Sequence, residues 1–193
     1  VLFTGDAYVD HPSFGAAVIG RLLQSLGLKV AIVPQPNWRD DLRDFKKFGR
    51  PRLFFGISAG AMDSMVNHYT ANRRRRSDDA YTPDGRHGMR PDYPTIVYSK
   101  ILKDLFPDVP IIAGGIEASM RRLSHYDYWN DKLHKAILCD APIDMLIYGM
   151  GELPILEVVN RLEKGENILS ITDVKQTVLL TDTMPPADEN NII

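Results

Sequence analysis

The chain has 193 residues, with 23 Lys and Arg against 25 Asp and Glu and a formal net charge of −2. A length near one domain, 44% hydrophobic, is enough for a core without covalent staples, and 25% charged residues is too ordinary for global disorder. The charge balance excludes a domain-wide field for nucleic acid or an anionic membrane, and leaves a local basic patch open.

In chain order, Val1 to Gly5 predicts a short buried strand ending at a glycine. Gly15 to Leu26 has helical apolar spacing, with Ser13 as its N-cap and Gly27 as its stop. Lys29 to Val33 predicts a second strand, broken by Pro34 and Pro36, and Asp40 to Phe48 a charged amphipathic helix. Arg52 to Ile57 predicts a third strand. Residues 68–93 are polar, carry Arg73 to Arg76, and are too long for an ordinary connection, so they read as a functional or mobile loop. Thr95 to Phe106 predicts a helix and Val109 to Ala113 a fourth strand, followed at once by Gly114-Gly115. Residues 117–138 predict one or two short helices. Asp144 to Tyr148 predicts a fifth strand, Glu152 to Leu162 a helix ended by Gly165, and Thr177 to Leu180 a short strand.

Strands that are short continuous apolar runs, alternating with helices, predict a parallel sheet covered on both faces. The expected fold is a doubly wound, Rossmann-like, mostly parallel α/β sheet of about five or six strands. It would occupy residues 1–170, with 171–193 as an extension. The single cysteine, Cys139, excludes an intramolecular disulfide and cannot alone hold a Cys-rich zinc site or a cubane iron–sulfur cluster. No stretch approaches the roughly 20 apolar residues of a membrane span, and no signal peptide is visible. A cytoplasmic location and no membrane partner are therefore expected. The chain begins without Met inside an apolar run, which predicts a piece of a longer protein.

In such a fold ligands bind outside the carboxyl ends of the strands. The candidates there are Asp6, Asp10 and His11 after the first strand, Ser58 after the third, and Gly114, Gly115 and Glu117 after the fourth. Gly149, Gly151 and Glu152 follow the fifth. Glycines at these turns either admit a ligand to the backbone or simply make the turn. There is no G-x-G-x-x-G after the first strand and no P-loop. Gly56-Ile57-Ser58-Ala59-Gly60 does match G-x-S-x-G, which keeps a Ser58 hydrolase open. Against it, that triad order needs a late histidine, and none follows His134. The five histidines form no H-x-x-x-H pair, so no metal site is expected. His11 beside Asp10 at a strand end is the best single candidate for ligand or acid–base duty. Arg73 to Arg76 suit phosphate or RNA, but Asp78, Asp79 and Asp84 lie close enough in sequence to offset them, so nucleic acid is not the expected partner. Tyr126, Tyr128 and Trp129 suit a core or an interface.

Several long, ordered blocks carry a more specific signal. VLFTGDAYVDHPSFG at the start, DSMVNHY from Asp63, RSDDAYTP from Arg76, GGIEASMRRLSHYDY from Gly114, and Tyr148-Gly149 together resemble the amino-terminal region of the YgiQ family of radical SAM proteins. The resemblance implies an accessory domain in front of a radical SAM barrel, absent from this chain. That barrel would be its partner and would carry a [4Fe–4S] cluster on CxxxCxxC and S-adenosylmethionine. Cys139 matches none of that motif, so the resemblance assigns no catalytic residue and no metal ligand here. The strand-end positions, read independently of the resemblance, make Asp6, Asp10, His11, Ser58, Gly114, Gly115 and Glu117 the expected lining of a crevice for a substrate, itself unidentified, or a cofactor. The region is also similar in layout to cobalamin-binding domains, through Gly114-Gly115 and Gly149-Met150-Gly151-Glu152. It departs from their D-x-H-x-x-G ligand motif, having Asp10 and His11 adjacent.

Overall fold

The computed structural model describes residues 1–9 and 15–182. Its centre is a six-stranded sheet. The strands are β1 (Leu2–Thr4), β2 (Ile32–Pro34), β3 (Phe55–Ser58), β4 (Ile111–Gly114), β7 (Met145–Ile147) and β8 (Thr177–Val178), in the order β2-β1-β3-β4-β7-β8. The first five are parallel, with Thr4 beside Ser58 and Ser58 beside Gly114, and β8 joins antiparallel at the edge. A separate antiparallel hairpin pairs β5 (His125–Asp127) with β6 (Lys132–His134). The helices are α1 (Gly15–Ser25), α2 (Arg43–Lys46), α3 (Ser64–His68), α4 (Pro94–Leu105), α5 (Gly115–Met120), α6 (Ile137–Asp140) and α7 (Glu152–Glu163).

Alternate strand residues feed two cores, which is why the strands read as continuous apolar runs. Phe3, Phe55, Ile111 and Leu146 face α2 and α4, where Phe3 stacks on Phe45 at 5.2 Å. Leu2, Ile112, Met145 and Ile147 face the other way, toward Leu23 of α1 and Ile155 and Val158 of α7. Helices thus cover both faces, as a doubly wound sheet requires. The strand order reverses between β1 and β3, and that is the switch point at which such sheets open a crevice. Ile171 and Val174, after the last helix, are also buried against the second core and lead into β8.

The structure revises three expectations. The helix at Asp40 to Phe48 shrinks to α2, because the Asp40 and Asp41 carboxylates accept from the Leu42 and Arg43 N–H groups. Those local bonds compete with helix and leave Leu42 left-handed, at φ 58°. Residues 117–138 contain the β5–β6 hairpin between α5 and α6. The segment 69–93 is pinned down at several points. Ala7 N–H donates to Tyr81 O at 2.9 Å, Gln35 donates to Thr82 Oγ1 at 2.7 Å, and Arg90 and Asp79 are fully buried. The expected N-cap, Ser13, lies outside the described residues.

Candidate functional site

The strand ends converge on a groove of about 290 Å³ at the switch point. Its floor is the sheet face at Gly56, Ile112 and Ile147, and its walls are Val18 and Ile19 of α1 and Ile155 of α7. Ser58, Gly114, Gly115 and Glu152 stand at its mouth. The groove is apolar below and polar only at the rim, the usual build of a small-molecule site. Glycine makes it possible at two places. A Cβ on Gly56 would lie 2.6 Å from Leu2 Cδ2, and one on Gly115, at φ +84°, would lie 2.6 Å from Ser58 Oγ.

Ser58 ends β3, and its Oγ accepts from Gly60 N–H at 3.1 Å. Ser58 has no positive φ, unlike a strained nucleophile turn, and no histidine among the described residues hydrogen-bonds to it. The two glycines of the G-x-S-x-G match have packing reasons: Gly56 admits Leu2, and Gly60, at φ +114°, leaves room for the Asp6 carboxylate.

Asp6 is 1% exposed and turns away from the groove. Its Oδ1 accepts from Arg90 Nη1 at 2.6 Å and its Oδ2 from Ala61 N–H at 2.7 Å. Arg90, 1% exposed, also donates to Ala59 O at 3.0 Å and has Nη2 3.6 Å from Asp79 Oδ1. Burial alone would raise the Asp79 carboxyl, but the Arg90 charge and the Tyr81 N–H hold it below the usual range. Beyond Asp79 lies buried His68, whose Nδ1 meets Asp92 at 2.7 Å. Burial holds its imidazole below the ordinary value.

Glu117 is fully buried in a second polar cluster, again outside the groove. It accepts from the backbone N–H groups of Thr95 at 3.1 Å and Ser64 at 3.4 Å, at the starts of α4 and α3. Asp63 caps α3 and pairs with Arg121 beside it. Burial, reinforced by Asp63, pushes the Glu117 carboxyl up to about 7 from 4.5. The folded state then holds a proton that the unfolded chain has lost. Stability contributed by this group is full below about pH 4.5 and falls as pH rises to about 7. His68 has the opposite sign, so the difference between wild type and Glu117→Gln isolates Glu117. Urea midpoints from pH 5 to 8 should show wild type declining by up to about 3 kcal/mol more than the variant. Equal slopes would show that Glu117 does not titrate in this window.

Of the seven candidates, the structure brings Ser58, Gly114 and Gly115 together at the groove. It places Asp6 and Glu117 in two buried clusters. Asp10 and His11 lie outside the described residues. Sequence reasoning missed Arg90 and the groove walls Val18, Ile19 and Ile155. The helical apolar spacing of α1 carried a trace of the walls Val18 and Ile19; nothing local carried Arg90. Among the described residues no group of three or more His, Cys, Asp or Glu is placed to hold a metal. Cys139, exposed on α6, is one thiolate, and a [4Fe–4S] cluster needs several, so the residues of this chain do not fit that group. No helix among the described residues is long and apolar enough to cross a membrane.

The family model described as Radical SAM N-terminal matches residues 1–193. The chain is 71% identical over 180 residues to a UPF0313 protein of Porphyromonas gingivalis, covering 93% of this chain and 28% of that protein. It is 74% identical over 164 residues to one from Bacteroides thetaiotaomicron, covering 85% and 26%. With one from Geobacter sulfurreducens it shares 54% over 189 residues, covering 97% and 31%. The chain therefore spans between a quarter and a third of the length of these relatives. No solved structure matches it. A match over the full length of the chain, with relatives this similar over nearly all of it, shows that the chain belongs to the Radical SAM N-terminal family.

Proposed function

We propose that this chain is the accessory amino-terminal domain of a radical SAM iron–sulfur enzyme, packing by its strand-end edge on the catalytic part and holding a substrate or cofactor in the groove. One observation carries the reading: large apolar side chains stand exposed along the edge that frames the groove mouth. Tyr8 follows β1, Ile116 and Met120 lie on α5 after β4, and Met150 and Leu153 follow β7. Met150 is 73% exposed and Leu153 76%. Apolar patches of this kind mark interaction surfaces. Relatives three to four times longer supply enough chain to cover it. The cluster and S-adenosylmethionine would belong to that further chain, since one thiolate cannot hold the cluster here.

A second reading, a cobalamin-binding module, is favoured by the position of the groove between α1 and α7, with Ser58 and Gly114-Gly115 at its mouth. An apolar groove there suits the nucleotide tail of a corrinoid.

The test uses the intact protein, purified without oxygen. It should contain iron and sulfide and cleave S-adenosylmethionine under reducing conditions; no cluster would overturn the enzyme reading. The intact protein should unfold in one thermal transition, and Met150→Glu with Leu153→Glu should split it into two, because both side chains would face the catalytic part. An unchanged single transition would overturn the docking. A spectral change on adding hydroxocobalamin would assign the groove to the second reading.

A further inference from the structure

The Arg73–Arg76 segment forms a tight turn. Tyr69 bridges Arg75, Thr70 N–H donates to Arg74 O at 2.8 Å, and Arg73 is left-handed at φ 58°. The turn leans on the end of β5, 55 residues away. Arg73 Nη2 donates to Tyr128 O at 2.6 Å, its guanidinium lies 4.8 Å from the Tyr128 ring centre, and Tyr128 OH donates to Ala71 O at 2.7 Å.

The acids that the sequence sets beside these arginines are engaged elsewhere. Asp79 is buried against Arg90, Asp84 pairs with Arg86 at 3.2 Å, and Asp78 accepts from the Ser77 hydroxyl at 3.2 Å. All four arginines are exposed, and none makes an ion pair with a described carboxylate. The offset expected from composition is therefore missing in space, and four positive charges stand together on a chain of net charge −2.

Beside them is an aromatic face. Tyr126 and Tyr128 lie two residues apart, on the side of the hairpin opposite buried Asp127, and are 55% and 48% exposed. Tyr126 gives its hydroxyl to Asp131, which fixes the ring and occupies the acid nearest to it. Leu133, across from Tyr126, extends the face.

Arg73 and Arg76 spend donors on backbone carbonyls, of Tyr128 and of Val66 and Tyr69, but their charges meet no described carboxylate. Arginines with uncompensated charge next to exposed rings are what a single-stranded nucleic acid uses: the charges take phosphates and the rings take base faces. A duplex hides its base faces, and an acidic peptide would use the charges but not the rings. We infer that Arg73–Arg76 and the Tyr126–Tyr128 face form a binding surface for single-stranded nucleic acid. It lies apart from the groove and does not depend on the reading of the groove.

The test is fluorescence anisotropy on the intact protein with labelled oligo(U) and oligo(dT), between about 50 and 200 mM salt. Binding should weaken with salt, and Arg74→Ala with Arg75→Ala should flatten the log–log slope by about 1.4, at roughly 0.7 per phosphate contact. Tyr126→Ala should weaken binding about tenfold while leaving the slope unchanged, and Tyr126→Phe, which keeps the ring, should bind more tightly than Tyr126→Ala. These side chains are exposed, so the fold is kept; Arg73, which ties the turn to the hairpin, is left in place. A preference for oligo(U) over oligo(dT) would identify RNA as the source, and the reverse DNA. The inference is overturned by no binding at low salt, by equal binding of a duplex, by wild-type binding of either the Arg74→Ala, Arg75→Ala double variant or Tyr126→Ala, or by equally tight binding of polyglutamate.

Discussion

Arg90→Ala should cost about 3–5 kcal/mol, much of the stability of an ordinary domain. The guanidinium is 1% exposed and faces two carboxylates, Asp6 at 2.6 Å and Asp79 at 3.6 Å, both buried. Removing it takes from two buried carboxylates the guanidinium that faces both, and opens a void beneath Tyr81, whose ring the guanidinium faces at 5.4 Å. It also releases the end of the 69–93 segment from the strand ends, since the same group donates to Ala59 O. Urea unfolding followed by circular dichroism measures the loss. Arg90→Met combined with Asp6→Asn and Asp79→Asn should recover part of it, because the cost lies in the uncompensated charges more than in the missing attraction. A loss below about 1 kcal/mol for Arg90→Ala would show that water reaches these carboxylates.

Gly60→Ala should cost about 3 kcal/mol or more, for two reasons that act together. The residue sits at φ +114°, a conformation that strains any side chain, and its new Cβ would collide with the Asp6 carboxylate. Asp6 cannot step aside, because Arg90 and the Ala61 N–H hold both of its oxygens. Gly27→Ala separates the two effects. Gly27 has φ +80° and nothing within 4 Å of an added Cβ, so it should show the backbone strain alone, about 1–3 kcal/mol. Thermal midpoints of the two variants decide the matter, and equal losses would mean that the Asp6 contact costs nothing. Gly60→Ala and Arg90→Ala should fall short of additivity when combined, since both act through Asp6.

The central sheet was legible because each of its strands satisfies two cores. Leu2 and Phe3, Ile111 and Ile112, and Met145 and Leu146 point to opposite faces, so every residue must be apolar and the run is unmistakable. The mouth of the groove was legible for a related reason: Ser58, Gly114 and Gly115 sit where parallel strands end, and glycine marks such turns. The β5–β6 hairpin was not legible. It is three residues to a strand, polar on one face and exposed on the other, and Tyr126 and Leu133 face solvent instead of a core. The helix at Asp40 was over-extended because apolar spacing says nothing about the carboxylates that take its backbone N–H groups.

The sequence alone determined the alternation of strands and helices, the mostly parallel sheet with both faces covered, and the exclusion of a cluster held by this chain's one cysteine. Tertiary structure decided which charges meet. It turned Asp6 and Glu117 inward, it gave Asp79 to Arg90, and it thereby left Arg73–Arg76 without a described carboxylate partner beside Tyr126 and Tyr128. The reason is physical. Burial repeats every 2 or 3.6 residues and leaves a periodic trace in the chain. The pairing of Asp6 with Arg90 spans 84 residues, and an ion pair between distant positions leaves no period to read.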